Sequence, residues 1–260
     1  MRWCRVQSAQ RAVYGLIEGE RVTEVTGSPF ETYTRTAVTH ALSAVKLLVP
    51  VIPPTFYAAG VNYRQHVTEM AQRRGVKPEF PPQADVGYRA NNALVATEEP
   101  IVIPGDATEQ VQYEGELVVV IGRRCKRVSE AEALDYVFGY TIGNDVSERT
   151  WQRGDRTFWR GKNTDTFKPM GPWIVPGLDP DALRVTIRLN SREMFTYAVK
   201  DAIFGVRQFI SRMSQYLTLY PGDVLWMGTD GATENMKDGD VVEVEIPGIG
   251  VLRNPVVRER

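Results

Sequence analysis

Two acidic side chains stand at the start of a predicted buried strand. Glu114 and Glu116 are two residues apart in VQYEGELVVVIG, residues 111–122, the segment with the strongest strand character in the chain. Because side chains alternate between the two faces of a strand, both carboxylates share a face, which Val118 and Val120 continue. Either this is a strand end in solvent with hydrated carboxylates, or the carboxylates are buried and a proton or a cation compensates their charge.

A third acid directly follows a second predicted strand. Asp145 comes after residues 137–144, where a side chain can reach a cleft, although an Asp after Asn is also a common turn former. Three carboxylates without histidine would form a hard, all-oxygen site. That composition suits Mg²⁺ or Mn²⁺, with Ca²⁺ as the alternative, and leaves positions open for water or substrate. Such a metal can polarise a carbonyl group and hold an enolate.

Histidine is scarce, with His40 and His66 as the only two. This count nearly excludes sites built from two or three histidine ligands, such as those of zinc proteases and cupins. His66 and Glu69 are three residues apart and would share a face of a helix over residues 62–75. A carboxylate beside an imidazole raises its basicity and suits the activation of water. A surface or core position is the commoner role of a lone histidine, and it is the one expected for His40.

Most other segments predict strands. Residues 3–25 are typical of short strands and turns, whereas residues 37–48 carry apolar residues at helical spacing until prolines interrupt them. Residues 206–217 predict an amphipathic helix. We expect a mixed α+β, β-rich fold, with a small N-terminal module over residues 1–50 and a larger domain over residues 51–260. Four aromatic residues are expected in its core: Trp151, Phe158, Trp159 and Phe167.

Composition narrows the function further. With 31 Lys plus Arg against 32 Asp plus Glu, the net charge of −1 argues against a nucleic-acid partner. No apolar stretch approaches the roughly 18 residues of a membrane span, and the N-terminus lacks the apolar core of a signal peptide. The two cysteines, Cys4 and Cys125, form no disulfide framework and favour a reducing compartment. A cytoplasmic protein without a membrane or nucleic-acid partner is therefore expected.

Four segments, in this order, resemble motifs of the fumarylacetoacetate hydrolase superfamily, and the similarity spans roughly residues 55–258. They are residues 57–69 with G-x-N-Y-x-x-H-x-x-E, residues 113–122 with E-x-E-L before an apolar run and Gly, residues 139–149 with the third carboxylate, and residues 161–172 with a lysine loop. The N-terminal module resembles the branch with 2-hydroxyhepta-2,4-diene-1,7-dioate isomerases and acylpyruvase-like enzymes. The resemblance implies a β-roll or sandwich of mixed sheets with short peripheral helices.

The same resemblance implies roles for individual residues. The implied ligands of a divalent metal are Glu114, Glu116 and Asp145, and the implied catalytic residues are His66, Glu69 and Lys162. His66 and Glu69 would form a proton-transfer pair, and Lys162, which by residue type alone would be a solvated lysine, would stabilise charge on a substrate oxygen. The residues expected to bind substrate are Tyr63, Arg89, Arg149, Gln152 and Thr229.

The implied function is that of a divalent-metal-dependent enzyme acting on a small anionic 2-oxo or β-dicarbonyl carboxylic acid. Hydrolytic carbon–carbon cleavage through a metal-bound enolate is the leading reaction. Isomerisation, hydration or decarboxylation of an oxo-diene or β-keto acid at the same site are alternatives. A non-catalytic binding protein whose metal orders a loop is an alternative of another class, although such a protein needs neither His66 nor Lys162. The family is usually dimeric, and a homodimer is expected on that ground.

The chain departs from the family pattern at two positions. Asp230 follows Gly228-Thr229 where proline is usual, and an added acid beside a carboxylate-binding residue could alter substrate preference. Arg89 stands where the family often has lysine, and its planar fork suits either a substrate carboxylate or a structural ion pair.

Overall fold

Strands dominate the fold. The computed structural model describes residues 1–231 and 234–260, with all their side chains except those of residues 73 and 74. The described strands are β1 (Arg2–Ser8), β2 (Arg11–Glu18), β3 (Arg21–Gly27), β4 (Tyr33–Ala41), β5 (Leu47–Leu48), β6 (Phe56–Ala59), β7 (Val86–Tyr88), β8 (Leu94–Val95), β9 (Ile101–Ile103), β10 (Val111–Gln112), β11 (Gly115–Ile121), β12 (Val137–Asn144), β13 (Ser147–Glu148), β14 (Lys168–Val175), β15 (Arg184–Leu189), β16 (Arg192–Ala198), β17 (Val224–Trp226), β18 (Val241–Ile246) and β19 (Gly250–Arg258). The described α-helices are α1 (Arg64–Arg74), α2 (Arg149–Gly154) and α3 (Val206–Tyr216).

The described strands form mixed sheets. The largest has 12 strands, in the order β4-β3-β2-β1-β14-β12-β11-β17-β6-β7, with β5 beside β1 and β8 beside β14. A 5-stranded sheet has the order β16-β15-β18-β19-β9, and β10 pairs with β13. Most neighbours are antiparallel, but three pairs are parallel: β17 with β6, β19 with β9, and β14 with β8. This β-rich arrangement confirms the predicted fold class.

The N-terminal strands continue the main sheet. β1 pairs with β14 through Trp3 and Ile174, so strands β1 to β4 extend the sheet that contains β11 and β12. Four strands joined by hairpin turns would bury little surface alone, and pairing with β14 removes an open sheet edge. The division of the chain at residue 50 remains a prediction.

Strand β11 is covered on both faces. Leu117, Val119 and Ile121 pack in the core cluster that includes residues of the 5-stranded sheet, whereas Val118 and Val120 pack with Trp226 in a second cluster. All seven residues of the strand are buried. The carboxylates at its start therefore enter a buried layer of the protein.

The predicted helices were right in two places and wrong in one. Helix α1 lies within residues 62–75, and α3 covers residues 206–216 with a buried apolar face. Residues 37–48, in contrast, form the end of β4, a short 3-10 turn and β5. Threonines and valine recur through residues 34–39 and favour a strand, and the ladder to β3 outweighs the helical spacing of the apolar residues that follow.

The core assignment of the aromatic set was half right. Trp151 and Phe167 are buried, but Phe158 and Trp159 are 40% and 66% exposed. Phe158 has φ of 55°, a left-handed conformation that is uncommon for a residue other than glycine. Within the part of the chain that the structure describes, no helix combines the length and apolar character needed to cross a membrane.

Close packing beside β12 yields a test of the fold. A Cβ atom added at Gly143 would lie 2.7 Å from ring atoms of Trp226, so Gly143→Ala forces a rigid buried ring to move. We expect Gly143→Ala to lower the free energy of unfolding by about 1–3 kcal/mol in urea titrations. Gly154→Ala is the control, because a Cβ there meets nothing within 4 Å. Equal stability of the two variants would contradict the described packing.

Candidate metal centre

Three carboxylates meet where β11 begins and β12 ends. The antiparallel register places Glu116 opposite Gly143 and Gly115 opposite Asn144, so Asp145 lies beside Glu114. The Asp145 N–H donates to the backbone carbonyl of Glu114 at 2.8 Å, and the Asn144 side chain accepts from the Glu114 N–H at 2.8 Å. One oxygen of each carboxylate lies within 4.8 Å of the others. The two strands thus bring all three predicted ligands together.

All three carboxylates are buried, which excludes the alternatives of a hydrated strand end and of an exposed turn. Glu114, Glu116 and Asp145 are 6%, 3% and 2% exposed. Like charges this close inside a protein repel one another strongly, so positive charge or protons must accompany them.

Lysine and arginine side chains supply part of that positive charge. Lys162 Nζ lies 2.6 Å from Glu114 Oε2 and 2.7 Å from Asp145 Oδ2. Lys168 Nζ lies 2.7 Å from Asp145 Oδ1, and Arg89 binds both oxygens of Asp145, at 3.0 and 2.8 Å. Burial alone would raise the pKa of Asp145, but these three cations hold it well below its ordinary value.

Arg149 binds the remaining oxygen of Glu114. Its Nη1 lies 2.6 Å from Glu114 Oε1 and donates to Gln152 Oε1 at 2.9 Å, while its Nε donates to Gln112. Arg149 and Lys162 outweigh burial and hold the pKa of Glu114 below its usual value. Two residues expected to bind substrate, Arg149 and Gln152, therefore lie together at the edge of the acidic cluster.

Glu116 differs from the other two acids. Its Oε2 accepts a hydrogen bond from the Gly228 N–H at 2.8 Å, whereas the four cations bind Glu114 and Asp145. Burial, reinforced by the charges of Asp145 and Glu114, raises the pKa of Glu116 well above its ordinary value. A carboxylate in this position favours either a proton or a further cation.

The donor set fits a hard divalent cation. Three carboxylate oxygens from two adjacent strands are the ligand type that Mg²⁺ and Mn²⁺ prefer, and a site with three protein ligands leaves positions for water or substrate. The buried acidic triad could therefore hold such an ion, as the sequence predicted.

The predicted proton-transfer residues lie on α1. His66 and Glu69 are one turn apart, and the charges of Glu114 and Glu69 both act on the imidazole. Burial, together with Arg149 and Lys162, nevertheless lowers the pKa of His66 below its ordinary value. The ring is therefore neutral at pH 7, the form in which it can accept a proton.

Three further predicted residues border the site. Tyr63 is buried at the start of α1, its ring 4.8 Å from that of Tyr197, and its hydroxyl finds no hydrogen-bond partner among the described residues. Thr229 is buried beside Gly228 and donates to the Gly231 carbonyl at 3.3 Å. Arg89 makes the structural ion pair that the sequence left as one of its alternatives, with Asp145 as its partner.

Sequence reasoning missed two members of the site. Lys168 is fully buried and also donates to the carbonyls of Val146 and Phe167. Tyr197 donates from its hydroxyl to the Gly115 carbonyl at 2.7 Å and so fixes the start of β11. Its place within the lysine loop of residues 161–172 was the available signal for Lys168. Nothing in the sequence pattern singled out Tyr197.

The fold and the site define a β-rich protein with a buried acidic triad, at the meeting point of two strands, that could hold a divalent metal. The fumarylacetoacetate (FAA) hydrolase C-terminal family matches residues 55–257, and the Rv2993c-like N-terminal family matches residues 1–50. The chain belongs to the fumarylacetoacetate hydrolase family, which confirms the resemblance.

Three similar proteins illustrate the range of the family. The crystal structure of 5-carboxymethyl-2-hydroxymuconate delta-isomerase from Mycobacterium smegmatis has a TM-score of 0.89 and 36% identity, covering 100% of both chains. The 2,4-didehydro-3-deoxy-L-rhamnonate hydrolase of Sphingomonas sp. (strain SKA58) is 39% identical over 211 residues, 76% of this chain and 72% of that protein. Oxaloacetate tautomerase YisK of Bacillus subtilis (strain 168) is 33% identical over 238 residues, 84% and 75% of the two chains. The family thus holds enzymes of several reaction types.

Removing one carboxylate tests the metal centre. We expect Mn²⁺ at about 100 times its dissociation constant to stabilise the protein by about 2.7 kcal/mol, and Glu116→Gln to lose most of this gain because a ligand is gone. Glu24→Gln is the control, since Glu24 also has little exposed surface but lies on β3 with Ser8 and His40 as partners. Thermal denaturation with and without Mn²⁺ measures the difference. A full metal response in Glu116→Gln would refute its role as a ligand.

The raised pKa of Glu116 predicts how pH affects metal binding. A proton and a metal ion compete for the same carboxylate, and Glu116 takes up its proton at a higher pH than an ordinary glutamate. Affinity for Mn²⁺ should therefore fall as the pH is lowered from 8 to about 5.5. Isothermal titration calorimetry across this range measures it, and an affinity that rises with acidity would contradict the assignment.

Proposed function

We propose that this protein is a divalent-metal-dependent enzyme that acts on a 2-oxo or β-dicarbonyl carboxylic acid and cleaves a carbon–carbon bond hydrolytically. The observation that carries the proposal is the buried triad of Glu114, Glu116 and Asp145, with cations on two of its members and a neutral imidazole nearby. A metal that only ordered a loop would not need a neutral imidazole beside it.

The three carboxylates would hold Mg²⁺ or Mn²⁺. When bound, such an ion supplies Lewis-acid polarisation of a substrate carbonyl and neutralises developing negative charge. Glu116 has the least positive charge beside it, so a bound cation would stabilise its ionised carboxylate more than those of the other two acids.

Cationic side chains around the triad suit an anionic substrate. Lys162, Arg89 and Arg149 place positive charge beside Glu114 and Asp145. Lys168 adds part of a charge, because burial lowers its pKa to about 7. Arg149 lies at the edge of the cluster with Gln152, where it can share its donors with a substrate carboxylate. Thr229 and the Tyr63 hydroxyl offer further hydrogen bonds on the side of Glu116.

Side chains of α1 would transfer the proton, and a side chain of the lysine loop would stabilise the negative charge. His66, neutral at pH 7, takes a proton from a water molecule, and the Glu69 carboxylate stabilises the imidazolium that results. The water attacks a carbonyl carbon, the adjacent carbon–carbon bond breaks, and its electron pair becomes an enolate. Lys162 donates a hydrogen bond to the enolate oxygen, which is worth several kcal/mol in a site that excludes water. The proton held by His66 then passes to the enolate carbon, which completes the reaction and restores the neutral imidazole. The hydrolase of Sphingomonas sp. supports this choice among the relatives.

Isomerisation is the second candidate. The likeness to an isomerase from Mycobacterium smegmatis extends over the whole chain, including the N-terminal strands, whereas the hydrolase matches 76% of it. In that reaction His66 would move a proton between carbon atoms of the substrate instead of activating water. Both reactions place negative charge on an oxygen near Lys162, so the same side chains serve either one.

Product identification separates the candidates. Acylpyruvates, oxaloacetate and oxo-diene acids are incubated with the protein and Mg²⁺ or Mn²⁺, before and after chelation, and products are followed by NMR. We expect cleavage products from an acylpyruvate that disappear with chelation. An isomer without cleavage would favour the second candidate. A protein that consumes no oxo acid, and whose metal only raises its melting temperature, would be a binding protein and would contradict the proposal.

Replacement of the base tests its role. His66→Asn should lower kcat by about 10²–10⁴-fold, the usual contribution of a general base, while leaving Mn²⁺ affinity near the wild-type value. His40→Asn is the control, because His40 pairs with Glu24 in the N-terminal strands. Steady-state kinetics with calorimetric metal titrations measure both effects. Unchanged kcat in His66→Asn would remove this residue from the mechanism.

A further inference from the structure

One acidic residue outside the triad holds the helix that carries His66. Helix α1 follows Tyr63, whose side chain makes no capping hydrogen bond. Instead, Asp230, far away in sequence, accepts at Oδ1 from the backbone N–H of His66 at 3.3 Å. That amide is the third of the helix, one of the four at a helix start that have no partner within it. A carboxylate there also interacts favourably with the helix dipole.

The turn that carries Asp230 also contacts the acidic cluster. Gly228 at its start donates its N–H to Glu116, and Gly231 at its end lies against the His66 ring, where an added Cβ would be 3.3 Å from Nδ1. Residues 228–231 therefore touch a proposed metal ligand at one end and the proposed base at the other. Asp230 makes the hydrogen bond between this turn and the backbone of α1.

We propose that Asp230 is a positioning residue, which fixes the first turn of α1, and with it the His66 imidazole, relative to the carboxylate cluster. Its effect on catalysis rests on the proposed function, but its effect on the position of His66 does not. Proline, usual at this position in the family, has no side chain that could accept this bond.

The surroundings of Asp230 show that its charge has a cost. The carboxylate is half-buried, and burial together with Glu69 and Asp201 raises its pKa to about 6, although the bond from His66 opposes the shift. Because the folded-state pKa is raised, this group favours folding at low pH, and that contribution is lost as the pH rises through 6. The charge of Asp230 therefore does not stabilise the fold. The structural contribution of this residue is its hydrogen bond to the backbone of α1.

Two variants separate the hydrogen bond from the charge. Asp230→Ala removes both, whereas Asp230→Asn keeps an oxygen acceptor and removes only the charge. Loss of an anion alone would lower the pKa of His66 or leave it unchanged. Loosening of α1 would expose the ring, and the pKa of His66 would rise towards its ordinary value, since burial is the main cause of its depression. The direction of the change distinguishes the two effects.

An NMR titration of the histidine rings measures the direction of the change in the pKa of His66. The chain has only two histidines, so His40 serves as an internal reference in the same Mg²⁺-loaded sample. The charged groups that act on His66 are Glu114, Arg149, Glu69 and Lys162, and both Asp230 variants keep all of them. We expect Asp230→Ala to raise the pKa of His66 and to speed hydrogen exchange in the first turn of α1, with His40 unchanged. Asp230→Asn should stay close to the wild type in both.

Kinetics supply the second readout. With the 2-oxo acid that the wild type consumes, we expect Asp230→Ala to lower kcat about tenfold to a hundredfold with little change in KM, as displacement of a catalytic group does. Asp230→Asn should recover most of that loss. If Asp230→Ala does not fold, Asp230→Ser, whose shorter side chain cannot reach the same amide, takes its place.

The outcomes that overturn the inference are distinct from failure of the proposed function. Wild-type exchange in α1 and a wild-type pKa of His66 in Asp230→Ala would overturn it, whether or not any oxo acid is consumed. Equal loss of kcat in the Ala and Asn variants, with His66 unaffected, would also overturn it and indicate a direct role of the charge. Absence of turnover by the wild-type protein would reject the proposed function alone, and the NMR result would still decide the role of Asp230.

Discussion

Mutual repulsion among three buried carboxylates is the constraint on which the centre of this structure depends. Two unit charges about 4 Å apart repel by about 4 kcal/mol at an effective dielectric constant of 20. Glu114, Glu116 and Asp145 form three such pairs within 4.8 Å, so their combined repulsion is comparable to the whole free energy of folding of a typical domain. The surrounding cations and the raised pKa of Glu116 are direct consequences of this arrangement.

The cationic side chains are distributed unevenly around the three carboxylates. Arg89, Lys162 and Lys168 converge on Asp145, whereas Glu116 accepts a backbone N–H bond from Gly228. Compensation is therefore strongest on one side of the triad and weakest at Glu116. A divalent ion placed among the three oxygens would compensate the remaining negative charge. The lysine and arginine donors would then be available to a substrate anion.

Periodicity and spacing predicted strands on both sides of this centre, although residues 111–122 form two strands, β10 and β11, with Glu114 in the break between them. The alternation in residues 111–122 and the acid after residue 144 follow from local rules, and the register of β11 with β12 then places Asp145 beside Glu114. Burial of the carboxylates could not be decided from spacing, because it depends on segments that are distant in sequence, such as those that carry Lys162 and Gly228. The role suggested for Lys162 came from the family resemblance, since an isolated lysine in a loop is ordinarily solvated.

What sequence could not supply are contacts between distant segments. The pairing of Arg89 with Asp145 spans 56 residues, and Lys168 reaches the same carboxylate from a different strand. The helix predicted over residues 37–48 was wrong for a related reason. The apolar residues of this segment have helical spacing, but pairing of β4 with β3 makes its first part a strand. Local rules predict elements, and the long-range ladder decides between competing local preferences.

The same centre is compatible with hydrolysis and isomerisation because both require one electrostatic event, the stabilisation of negative charge on an oxygen next to a carbonyl carbon. In the proposed function, the triad and Lys162 would serve that event without determining where a proton goes. The destination of the proton would depend on His66, which lies on α1, and α1 is bonded to the turn at residues 228–231 that also contacts Glu116. The residues that tie α1 to this turn are therefore where a change of reaction within this fold would act.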